Sequence, residues 1–184
     1  MKRDILDRYS RTMDNKVVID IAAGKVEDLY NYLDKHAPYR KKDLDQDLVE
    51  YLIDSVSEIG KEDFVIQFRF TVLAEIHLVS RVKMSIHNYF QYLKVLESRE
   101  LARTIRSTFI LFSVGMAVLF ISVWINQKIT SHDGVISHVF AEGLTVAAWV
   151  SLWNALTTFF INWTPHHRQL KMYERISKAK ILFT

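Results

Sequence analysis

Gly143–Pro165 reads GLTVAAWVSLWNALTTFFINWTP, without one charged side chain. A helix needs about 20 predominantly apolar residues to cross a bilayer, and this stretch is long enough. A second uncharged run, Ser107–Gln127 (STFILFSVGMAVLFISVWINQ), lies upstream across a short polar gap. Two such spans in succession form a hairpin. The expected fold class is an α-helical membrane protein with a two-helix transmembrane hairpin and a small α+β cytoplasmic domain.

The second span has two unlike faces. Gly143, Ala147, Ser151 and Ala155 recur every four residues, a ridge of small side chains that lets helices approach closely. Asn154, Thr158 and Asn162 fall on nearly the same side, opposite Val146, Trp149, Val150, Trp153 and Phe160. The small and polar stripe reads either as a packing seam or as the lining of a pore built from several copies of this helix. Ser113 and Ala117, flanking Gly115, form a weaker counterpart in the first span. Glu142 is the acid within the apolar region. Counting back from Trp163 puts it near the outer interface, where it caps or anchors; the sharper reading is gating, ion binding or proton linkage. His138, one turn earlier, is its candidate partner.

Charge sets the expected topology. Arg99, Arg103 and Arg106 precede the first span, and Arg168, Lys171 and Arg175 follow the second. Asn126–Gly134 between them holds only Lys128 and Asp133. By the positive-inside rule both termini face the cytoplasm and the loop is outside. Trp124 and Trp163 then anchor at opposite interfaces, with Arg103, Arg106, Arg168 and Lys171 at the cytoplasmic one. The charged start, Met1–Ser10, lacks the apolar core of a cleavable signal peptide, so the first span is expected to act as the insertion signal.

The preceding part reads as strand, helix, helix, strand, long helix. Lys16–Ala23 (KVVIDIAA) is β-branched and bounded by Gly24, a strand. Val26, Leu29, Tyr30 and Leu33 have helical spacing, and Pro38 ends the segment. Pro38–Lys42 is a basic loop. Its Tyr39, Arg40, Lys41 and Lys42 could hold an anion or simply be solvated. Asp43, Asp45 and Asp47 suit a helix N-terminus, Leu44, Leu48, Leu52, Val56 and Ile59 form its apolar face, and Gly60 stops it. Asp63–Phe70 (DFVIQFRF) alternates as a strand. From Lys61 to Val114 there is neither Gly nor Pro, so one helix is expected from near Val72 into the first span, unless it breaks at Glu97–Arg99. Some 50 helical residues would extend about 75 Å. Two strands alone make a marginal sheet, so they either pair under the helices or join between subunits. After Pro165 the tail is expected to stay helical, with Leu170, Tyr173, Ile176 and Ala179 on one side, lying on the leaflet or packed on the soluble domain. The expected divisions are 1–98, 99–126, 127–134, 135–165 and 166–184.

Residues 1–106 hold 18 Lys+Arg and 18 Asp+Glu, whereas the tail after Pro165 holds five basic residues and one acid. Such a small cationic tail beside a membrane points to lipid headgroups rather than nucleic acid. There is no cysteine, which removes disulfides, thiol catalysis and thiolate metal sites. Asp43-Leu44-Asp45-Gln46-Asp47 begins like an EF-hand loop, but Leu48 stands where that loop needs Gly and Asp54 where it needs Glu. His77 and His87 are ten apart, and His166 and His167 are adjacent; neither pair has metal-ligand helix spacing. No phosphate loop or catalytic triad stands out, so neither an enzyme nor a cofactor nor a metal is expected.

The segments Tyr39–Leu52 (YRKKDLDQDLVEYL), His87-Asn88-Tyr89-Phe90 and Glu142-Gly143-Leu144 followed by Trp149 and Trp153 resemble an uncharacterised family of small two-span bacterial inner-membrane proteins. The resemblance runs over most of the chain. It implies a prokaryotic inner-membrane setting and transfers no activity and no functional residue. The expected function is a homo-oligomeric integral membrane protein forming a pore gated by its cytoplasmic domain. The alternative is a non-conducting tethered scaffold or regulator. Expected partners are the lipid bilayer, further copies of the chain, and a cytoplasmic protein or small ligand.

Overall fold

The computed structural model describes residues 6–34, 37–39, 41–71, 76–128 and 135–184. Strand β1 (Val17–Ala23) is followed by two short 3-10 turns, Val26–Leu29 and Tyr32–Asp34. Then come helix α1 (Gln46–Ile59), strand β2 (Phe64–Phe70), helix α2 (Ile76–Lys128), helix α3 (Val135–Lys178) and strand β3 (Lys180–Phe183). The protein is mostly helical, with one small parallel sheet. Stretches of α2 and α3 are long and apolar enough to cross a membrane.

The chain divides into two compact units: Met1–Leu96 with Gln169–Thr184, and Glu97–Arg168. The sheet, in order β1-β2-β3, belongs to the first. Val17 pairs with Phe64 and Ile19 with Ile66, and Ile66 pairs in turn with Ile181. Alternation puts Val17, Ile19, Ile66, Phe68 and Ile181 on the buried face. Val82, Ile86 and Phe90 of α2, Tyr173 and Ile176 of α3, and Leu52, Val56 and Ile59 of α1 complete that core.

Local chemistry explains the boundaries. The Asp45 carboxylate accepts from the Asp47 and Leu48 N–H groups at 3.1 and 3.4 Å, an N-cap for α1. Gly60 ends α1 at φ 69°, in the left-handed region where a side chain is strained. The expected helix at Val26–Leu33 is instead two 3-10 turns. Tyr30 between them is extended (φ −116°, ψ 149°) and bridges Leu44. So short a segment gains little from helix formation alone. Its polar side chains cap local turns: Asp28 accepts from Lys25 N–H at 2.8 Å, Asn31 from Leu33 N–H at 2.9 Å.

The tail needs a second correction. α3 runs through Pro165 to Lys178, and the remaining residues are not helical. Lys180–Phe183 adds the third strand, so the sheet needs no strand from another subunit to exceed two. From Gln169 onward the tail belongs to the sheet-bearing unit, the second of the two placements expected for it. Arg175 holds it there. Its guanidinium donates to the Gly60 carbonyl and, at 2.6 Å, to the Glu62 carbonyl, and lies 5.1 Å from the Phe64 ring centre. His87 Nδ1 lies 2.8 Å from the Ser177 carbonyl, and Gln91 donates to Ser177 Oγ at 3.2 Å. α2 is continuous through Glu97–Arg99, and it extends to Lys128, into the region expected as a loop. The rest of that loop, and the expected start of the long helix at Val72, lie outside the described residues.

Candidate functional site

The unit Glu97–Arg168 carries the hairpin residues singled out by sequence. Its buried positions on α2 are Thr108, Gly115 and Ser122, spaced by seven; on α3 they are Ala148, Leu152 and Ala155. A spacing of seven keeps one face of a helix against a neighbour over several turns. Ser122 Oγ and Thr145 Oγ1 are 2.5 Å apart. A Cβ on Gly115 would come within 3.3 Å of Ser151 Cβ and Leu152 Cδ2. At the other end Glu97 Oε1 lies 2.5 Å from His166 Nδ1, with both side chains largely shielded. The two helices therefore pair antiparallel, through small and hydroxyl-bearing side chains together with Leu152.

Large apolar residues point away from this seam. Phe109, Ile110, Phe120, Trp149, Trp153 and Phe160 are all exposed, Phe109 by 68 % and Trp153 by 74 %. This is the reverse of a water-soluble helix pair, whose large apolar side chains meet inside.

The expected stripe splits between the two environments. Ala155 is buried, and Ser151 and Thr158 are half-buried at the edge of the seam. Gly143, Ala147 and Asn154 are exposed, and a Cβ on Gly143 would meet nothing within 4 Å. The hydroxyls mostly turn back on their own helix. Ser151 donates to the Ala147 carbonyl and Thr157 to the Trp153 carbonyl, each at 2.9 Å. Asn154 makes no side-chain hydrogen bond among the described residues. The side chains of Asn162 and His138 lie outside the description. Glu142 is exposed and forms no ion pair among the described residues.

On α2 the expected counterpart moves. Ser113 is exposed and donates to the Phe109 carbonyl at 2.8 Å, while Gly115 makes the close approach to α3. The seven-residue recurrence of Thr108, Gly115 and Ser122 is the sequence signal for this face, which a spacing of four does not show.

The expected interface residues fall in different settings. Trp124 is exposed. Trp163 stacks at 5.5 Å on Phe159 and at 6.1 Å on His167. Arg103 lies 3.7 Å from Glu100, and Arg106 and Arg168 are exposed. Lys171 belongs to the sheet-bearing unit. There it lines an open cleft of about 510 Å³ with Lys16, Arg175, Lys178 and Lys180. Glu174, also on this cleft, accepts from Lys178 at 2.5 Å and Lys94 at 3.1 Å, and these bonds hold its carboxyl below the usual range.

A comparison with known protein families, with characterised proteins and with solved structures gives no match.

Proposed function

We propose that this chain is an integral membrane protein of the prokaryotic inner membrane that associates with copies of itself through its second span. Both termini face the cytoplasm, and the sheet-bearing unit lies there. The observation that carries this reading is the Asn154 amide, exposed on the second span and unpartnered among the described residues. An amide left against hydrocarbon costs several kcal/mol. Gly143 and Ala147 share its face, so a second helix can approach closely enough to pair the amide.

Such an assembly supports two activities. In the first, Asn154 and Thr158 line a wetted path, Glu142 stands at its mouth, and the sheet-bearing unit gates it. In the second, the assembly is a non-conducting tether for a cytoplasmic partner. The return of the Ser151 and Thr157 hydroxyls to their own helix favours the second, because hydroxyls so satisfied need no water.

Light scattering of the full chain in mild detergent tests the association. Several copies per particle are expected. Asn154→Leu removes an interhelical hydrogen bond of about 1–2 kcal/mol and should weaken assembly roughly five- to thirtyfold. A monomeric wild-type particle overturns the proposal, and conductance across a planar bilayer separates the two activities.

A further inference from the structure

Lys42 is the charged side chain that the sheet-bearing unit buries most deeply among the described residues, at 7 % exposure. Its ammonium lies 4.9 Å from the Tyr30 ring centre and 4.8 Å from that of Tyr39. The two rings meet edge-on at 5.7 Å and form a cradle. Among the described residues Lys42 makes no ion pair and no side-chain hydrogen bond. Two rings offset only part of what it costs to take an ammonium out of water. Tyr30 is no counter-ion, since burial pushes its phenol up to about 12 and leaves it neutral.

Lys42 is also among the residues that line a cavity of about 470 Å³, the size of a small-molecule site. Lys41 stands beside it. Tyr89, half-buried, and Tyr92, 54 % exposed, line the same cavity. Asp34 already accepts from the Asp43 N–H at 3.0 Å, whereas the Asp43 carboxylate has no partner among the described residues. The cavity lining thus brings together two lysines, two tyrosines and a carboxylate acceptor. A bare anion would use only the first of these.

We propose that this cavity binds a nucleoside phosphate, with Lys42 and Lys41 on the phosphate, Tyr92 stacked on the base, and Asp43 accepting from sugar hydroxyls. The phosphate supplies the charge that the ammonium lacks, through charge-assisted hydrogen bonds. The sequence marks this basic and aromatic loop but cannot show that Lys42 turns inward between two rings.

Equilibrium dialysis of the full chain in phosphatidylcholine nanodiscs, with the four nucleoside 5′-monophosphates, tests the assignment. The matching nucleosides and inorganic phosphate serve as controls. At least one monophosphate should bind about tenfold or more tightly than its nucleoside and than phosphate. Lys42→Met should weaken that binding at least about tenfold and Tyr92→Ala roughly three- to tenfold. Trp153→Ala, in the other unit, should leave it unchanged. If Lys42→Met lowers the melting temperature, the exposed Tyr92→Ala decides. No monophosphate binding below millimolar concentration overturns the assignment. So does equal affinity for nucleoside or phosphate, or an affinity indifferent to Lys42→Met in a folded protein and to Tyr92→Ala.

Discussion

α2 buries Val82, Ile86 and Phe90 in one unit and Thr108, Gly115 and Ser122 in the other. The same helix thus follows opposite rules along its length. In the sheet-bearing unit large apolar side chains meet inside, and polar ones such as Lys94 and Glu174 stay at the edge. In the hairpin unit mostly small and hydroxyl-bearing side chains meet inside, with Leu152 among them, and Phe109, Trp149 and Trp153 point out. Burial away from water drives the first arrangement. Where the surroundings are as apolar as the side chains, that drive is absent, and close backbone approach and hydrogen bonds take its place. Both helices contain stretches long and apolar enough to cross a membrane, and they expose Phe and Trp there.

The largest test compares truncations. Phe90→Ala should destabilise the protein by about 3–5 kcal/mol, because it empties a fully buried site. Trp153→Ala removes a larger but exposed side chain and should cost less than about 1 kcal/mol in a bilayer. Chemical unfolding in nanodiscs reads both, and an equal cost at the two positions would break the comparison. Next is Gly115→Leu, which drives a side chain into Ser151 and Leu152. It should cost roughly 1–3 kcal/mol, seen as faster proteolysis between the helices, while Gly143→Leu should leave the hairpin of a single chain intact. Ser122→Ala removes the contact to Thr145 and should cost about 0.6 kcal/mol, the average for such bonds in a bilayer, read by detergent-induced unfolding.

The smallest effect belongs to pH. Glu174 titrates lower in the folded protein than in the unfolded chain, because Lys178 and then Lys94 bond its charged form. Its contribution is therefore present above the unfolded carboxyl pKa and disappears as pH falls through the folded one. Glu174→Gln should lower the melting temperature slightly at pH 7 and by nothing once the native carboxyl is protonated. A difference persisting at that pH would show that the loss is one of packing.

Much of this was legible in the residues. Val17–Ala23 and Phe64–Phe70 announce strands by β-branching and alternation, and Asp45 and Gly60 bracket α1 by backbone chemistry. These signals act within a few residues. Lys180–Phe183 carries four residues of strand and no turn signal apart from the helix before it, so its place in the sheet depended on β2, more than a hundred residues earlier. The stripe on α3 was legible as small and polar, but its division was not. Helical spacing fixes which residues share a face, and only the position of α2 says that Ala155 faces inward and Asn154 outward.

The amino-acid order alone therefore determined two uncharged helical stretches, the strands and caps before them, and the ridge of small residues. These follow from local propensity and from periodicity, which need no neighbour. Tertiary structure decided that the C-terminus returns to complete the sheet, that Gly115 rather than Ser113 meets α3, and that Lys42 lies between Tyr30 and Tyr39. Each of these depends on what stands opposite a side chain, and that partner is set by how the helices and sheet pack, not by the residues on either side.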